Sequence, residues 1–69
     1  MERQSVSSSN IASVGHDAET NTLEVEFNSG AVWQYASVPQ ETYEALVSAV
    51  SVGKAFNSMI KGQYQGRPV

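Results

Sequence analysis

The sequence predicts an α+β domain: a three-stranded antiparallel β-meander followed by two α-helices packed on one face of the sheet. Three observations carry this. Apolar and polar residues alternate on both sides of Asn28-Ser29-Gly30, the period-two signature of a hairpin with one buried face. The period changes to a helical one immediately after Val38-Pro39, and a second helical stripe follows Ser51-Val52-Gly53.

Residues 1–9 are polar, with four serines between Ser5 and Ser9, and read as a flexible lead-in, frayed or lying along the sheet edge. The first strand is expected at residues 11–16, whose register the pattern leaves open. If Ala12, Val14 and His16 share a face, Gly15 lies opposite, where a bulge or the close approach of a neighbour is accommodated. Residues 17–22 are rich in turn formers. In the second strand Leu23, Val25 and Phe27 alternate with Glu24 and Glu26, and in the third, at residues 31–36, Ala31, Trp33 and Tyr35 repeat the pattern. A three-residue loop closed by Gly30 at positive φ places Phe27 opposite Ala31, Val25 opposite Trp33 and Leu23 opposite Tyr35. A two-residue loop, Ser29-Gly30, would slip the register by one and move both rings outside beside the glutamates. The three-residue loop is the preferred reading.

Pro39 suits the first turn of a helix, and Glu41 follows where the helix dipole favours an acid. Tyr43, Leu46, Val47 and Val50 then form one apolar stripe. After Gly53 a second stripe comprises Phe56, Met59, Ile60 and Tyr64, with Gly62 weakening the helix end and residues 65–69 read as a loose tail. The strands are expected to give Val14, Leu23, Val25, Phe27, Trp33 and Tyr35 to the core. The helices are expected to add Tyr43, Leu46, Val47, Val50, Phe56, Met59 and Ile60.

At 69 residues the chain reads as a single domain, 1–69, burying only about 60% of its unfolded surface, and without cysteine it has no covalent staple. It shows no secretory signal or membrane-spanning run, so a cytoplasmic protein with no membrane partner is expected. Charge is unevenly spread. Residues 1–50 carry seven acids against Arg3 alone, whereas residues 51–69 carry Lys54, Lys61 and Arg67 and no acid. That asymmetry suits a polyanion-binding end on an acidic body, but lysines that complement a helix C-terminus are the preferred reading.

The residue types argue against catalysis. His16 and Asp17 are adjacent in a strand and point to opposite faces, and no serine sits in a nucleophile-elbow context. A single histidine and an isolated Glu24/Glu26 pair give no metal-ligand set, and no phosphate loop or cofactor motif is present. The remaining candidates are for binding. Ser51, Lys54 and Asn57 cluster where the second helix begins, Lys61 lies seven positions beyond Lys54, Arg67 follows in the tail, and Tyr35 offers a ring. A purely structural reading is also open, with Ser51 capping the helix and Asn57 bonding the loop.

The series Ser9-Asn10-Ile11, Val14-Gly15-His16-Asp17, Leu23 to Phe27, Trp33-Gln34-Tyr35, Val38-Pro39, Ser51-x-Gly53, Phe56-Asn57, Ile60-Lys61 and Tyr64 resembles the KTSC domain. That family takes its name from the C-terminal end of some lysyl-tRNA synthetases and also occurs as small stand-alone bacterial or phage proteins. Its central Tyr-x-Tyr is Trp33-Gln34-Tyr35 here, and its tyrosine after the first-strand glycine is His16, each swapping one amphipathic ring for another. The resemblance implies RNA binding by analogy with the synthetase. The expected function is a non-enzymatic binding module for RNA or a nucleotide. The alternative is a protein-interaction module that self-associates or docks on a larger protein, a homodimer forming through the unprotected edge at residues 11–16 or a leftover helix surface.

Overall fold

The computed structural model describes all 69 residues. In chain order they form β1 (Arg3–Ser5), β2 (Ile11–Asp17), β3 (Thr22–Phe27), β4 (Val32–Tyr35), α1 (Gln40–Val47), α2 (Val52–Met59) and β5 (Gly66–Pro68). The strands make one antiparallel sheet in sequential order. The hairpin has the three-residue loop: the Phe27 N–H donates to the Ala31 carbonyl at 2.8 Å, the Gly30 N–H donates to the Phe27 carbonyl at 2.9 Å, and Gly30 has φ 96°. Leu23 pairs with Tyr35 and Val25 with Trp33, so both rings lie on the apolar face.

The sheet has five strands, two more than the predicted meander. The additional strands come from the segments read as lead-in and tail, and glycine admits each of them. At Gly15 a Cβ would strike the Glu2 carbonyl and the Arg3 side chain, so its absence lets β1 lie against β2. At Gly66 a Cβ would strike the Tyr35 ring, so β5 fits beneath that ring. Residues 11–16 are therefore interior. The true edges are three-residue strands carrying Arg3 and Pro68, which discourage further pairing, and the predicted dimer contact through β2 has no free edge to use.

A shift in register between Ile11 and Ser13 breaks the alternation of β2. Ile11 and Val14, three residues apart, are both buried, and Ser13 turns to the other face, where its hydroxyl donates to Glu26 Oε1 at 3.0 Å.

The apolar face is closed by the helices. Leu46, Val52, Phe56 and Ile60 pack with Ile11, Val14, Leu23, Val25 and Tyr35, while Phe27, Trp33, Tyr43, Val47 and Met59 border this cluster. Val50 is the exception among the predicted core residues. Helix α1 stops at Val47, with the Ser48 N–H donating to the Glu44 carbonyl, because Ser51 is needed as the N-cap of α2 and residues 48–51 make the junction. Val50 is thereby 106% exposed and Val52, one turn before Phe56, takes the buried place. Helix α2 likewise ends earlier than expected, leaving Lys61 and Tyr64 in the turn beyond it.

Val38, absent from the predicted core, is fully buried. Ser37 adopts a left-handed φ of 61° that turns the chain inward; the Val38 N–H then donates to the Asn21 carbonyl at 2.8 Å, and His16 Nε2 donates to the Val38 carbonyl at 2.6 Å. The His16 ring also stacks on Tyr43 at 5.4 Å between centroids, a structural role. No helix is long and apolar enough to cross a membrane.

Candidate functional site

The helices leave one end of the apolar face uncovered, and the opening is a cleft of about 520 Å³. Phe27, Trp33, Tyr35 and Phe56 supply its rings. Their arrangement follows from the strand period and from α2. Trp33 and Tyr35 alternate with Gln34 along β4 and lie 6.4 Å apart with nearly parallel planes; Phe56 meets Tyr35 and Phe27 edge-on, at 5.6 Å in each case. Tyr35 is 8% exposed, and this burial pushes its hydroxyl pKa above the usual value of 10.0.

Polar donors stand at the rim. Asn57, from α2, and Asn10, from the loop before β2, face the cleft together with Lys61 from the turn after α2. Asn57 makes no side-chain hydrogen bond, contrary to the structural role considered for it, and is exposed. No carboxylate lines the cleft.

A second depression of about 420 Å³ adjoins the first, sharing Asn10, Gly53 and Asn57 with it. Its walls are the serines of residues 7–9 on one side and Ser51 and Lys54 on the other. Ser51 caps α2, its Oγ accepting from the Lys54 N–H at 3.3 Å, so the structural role proposed for it is real while Lys54 keeps its ammonium in solvent.

Five of the six candidate residues are thus brought together, and Arg67 is separated. It follows Gly66 in β5 and pairs with Gln34, whose amide donates to Glu24 Oε1 at 2.9 Å on the opposite face of the sheet. The acids of the hairpin are there too. Arg3 bridges Glu24 at 3.2 Å and Glu26 at 3.9 Å, so the glutamates stand away from the rings and are partly neutralised. Lys54 and Lys61 do not share a helix face, since Lys61 lies beyond the helix; they belong to neighbouring depressions instead. Asn10, Trp33 and the serine wall were not among the candidates. Trp33 had the right residue type, but only the packing of the helices decides which part of an apolar face stays open.

The profile of the KTSC domain matches residues 7–64. A crystal structure of a KTSC domain protein from Yersinia pestis superimposes with a TM-score of 0.95 at 40% identity, covering 99% of this chain and 96% of that one. An uncharacterized protein of Stutzerimonas stutzeri is 45% identical over 64 residues, 93% of this chain and 90% of that protein. A lysine–tRNA ligase of Nostoc punctiforme is 40% identical over 55 residues, which are 80% of this chain but only 10% of the ligase.

Proposed function

The chain belongs to the KTSC domain family, and from that premise we propose that it is a non-enzymatic binding module whose cleft takes an unstacked base of RNA or of a nucleotide. The observation that carries this reading is the cleft itself: aromatic rings at its base, two amides and an ammonium at its rim, and no acid among its lining. Rings stack on the faces of a base with little preference for sequence, amides meet its edge, and the ammonium meets phosphate. The placing of Glu24 and Glu26 on the far face removes the repulsion that acids beside the rings would cause. Similarity to a segment of a lysine–tRNA ligase supports RNA as the ligand class, by analogy.

Trp33 is the single tryptophan, so its fluorescence reports directly on the cleft. Titration with adenosine monophosphate or a short single-stranded oligoadenylate at low salt is expected to quench it saturably. The quenching should weaken as salt rises and in Lys61→Gln, a change at an exposed position that leaves the unfolding midpoint unaltered. Absence of any saturable change with either probe overturns the proposal.

A further inference from the structure

The aromatic cleft and its neighbour share Asn10, Gly53 and Asn57, so the two depressions adjoin between the loop at residues 7–10 and helix α2. Each has a volume within the roughly 300–1,000 Å³ typical of small-ligand sites, and each carries one lysine, Lys61 in the cleft and Lys54 in the adjoining depression. Resting on the nucleic-acid reading above, we propose that the ligand is a single strand spanning both depressions, at least a dinucleotide, with one nucleotide's base on the rings and its phosphate at Lys61, and the sugar-phosphate of the next nucleotide between Lys54 and the serine wall.

The chemistry of the two halves is complementary to such a strand. The cleft is lined by rings, and the second depression has Val50 as its only hydrophobic residue and is lined by hydroxyls, amides and an ammonium. Alternation of a flat apolar surface with a donor-rich one matches the alternation of base and phosphate along a chain. Four of the lining side chains are free. Lys54 and Lys61 form no salt bridge, and neither Ser7 nor Asn57 uses its side chain in a hydrogen bond. No carboxylate lines the second depression either.

The outer wall is also held in place before any ligand arrives. Asn28, from the hairpin loop, donates its amide to the carbonyls of Ser9 at 2.8 Å and Ser8 at 3.3 Å, and its N–H donates to the Asn10 carbonyl at 2.8 Å. Ser8 Oγ accepts from the Asn10 and Ile11 N–H groups, fixing the turn from within. A wall so tied loses little further freedom on binding. Duplex RNA is excluded by the same geometry, because the rings lie at the base of a cleft and need a base face that pairing and stacking would hide.

The experiment compares adenosine monophosphate, the trinucleotide of adenylate and an RNA duplex containing that sequence, read through Trp33 fluorescence and by calorimetry. The trinucleotide is expected to bind about tenfold more tightly than the monophosphate, a gain of about 1.4 kcal/mol from the second phosphate contact. The duplex should bind no better than the monophosphate. Lys54→Gln is expected to remove most of the trinucleotide's advantage and leave monophosphate affinity unchanged, whereas Lys61→Gln weakens both. Equal affinities for the two single-stranded probes, or equal loss of both in Lys54→Gln, overturn the two-depression site while leaving the base-binding cleft standing. Failure of both probes to bind overturns the cleft as well.

Discussion

The two faces of the sheet use the same five strands for opposite ends. The inner face gathers Ile11, Val14, Leu23, Val25 and Tyr35 against the helices, and apart from His16 its polar groups stand at the rim of an open cleft. The outer face has no covering layer. Its charges pair with one another across the strands, Arg3 with Glu24 and Glu26, Gln34 with Glu24 and Ser13 with Glu26. On the inner face stability comes from burying apolar area, and the sites not buried remain available to a ligand. On the outer face Arg3, Ser13, Glu24, Glu26 and Gln34 satisfy each other, and Arg67 is the cation left without a salt bridge. An interface is therefore expected where the helices stop, and the self-satisfied polar surface carries no comparable set of free donors.

The sharpest break between the faces should come from paired substitutions on β3. Leu23→Ala removes a side chain with no exposure and is expected to cost about 2–5 kcal/mol, enough to unfold a domain of this size in large part. Glu24→Gln, its neighbour on the outer face, should cost under about 1 kcal/mol, and the difference should widen at high salt to the extent that the Arg3 contact is electrostatic. Urea unfolding of both variants measures this, and comparable losses would mean that the outer network carries as much stability as the core.

A smaller effect is expected where a backbone, instead of a side chain, fills the outer face. Gly15→Ala places a methyl against the Glu2 carbonyl and the Arg3 side chain, so β1 must shift or detach, at about 1–3 kcal/mol. Hydrogen exchange should show lost protection in β1 and in the β2 amides it covers, with the β3 and β4 amides intact. Unchanged exchange in β1 would show that this edge strand docks without needing the glycine.

The mildest test concerns Tyr35, which ties the inner face to the cleft. Because burial raises its folded-state pKa above the value of 10.0 it has when exposed, the unfolded chain releases the phenolic proton first. The stabilisation is then complete below pH 10 and declines as pH rises from there through the folded pKa. Tyr35→Phe should flatten this alkaline decline relative to the native chain, measured as unfolding midpoints across the alkaline range. An identical slope in both proteins would mean that the ring titrates as freely as in solvent.

The hairpin was legible in the sequence, since period two and a glycine at the loop end are local properties of consecutive residues, and the register that turns Trp33 and Tyr35 inward was the preferred of two that the structure decided between. Both helices and most of the apolar stripe were legible for the same reason, as was the KTSC resemblance. The edge strands were not, beyond the alternative that the lead-in lies along the sheet edge. Their residues are polar, and what places them is a pair of glycines elsewhere in the chain, Gly15 beneath Arg3 and Gly66 beneath the Tyr35 ring. Nor could the period assign Val50 and Val52, because the N-cap at Ser51 interrupts the stripe and exchanges their exposure. At the candidate site the sequence supplied the residue types, but their grouping depended on the third dimension. Arg67 lies behind the sheet while Lys54, Asn57 and Lys61 border one trough, since residues adjacent in a strand face opposite ways and only the packed helices determine which part of a face remains open.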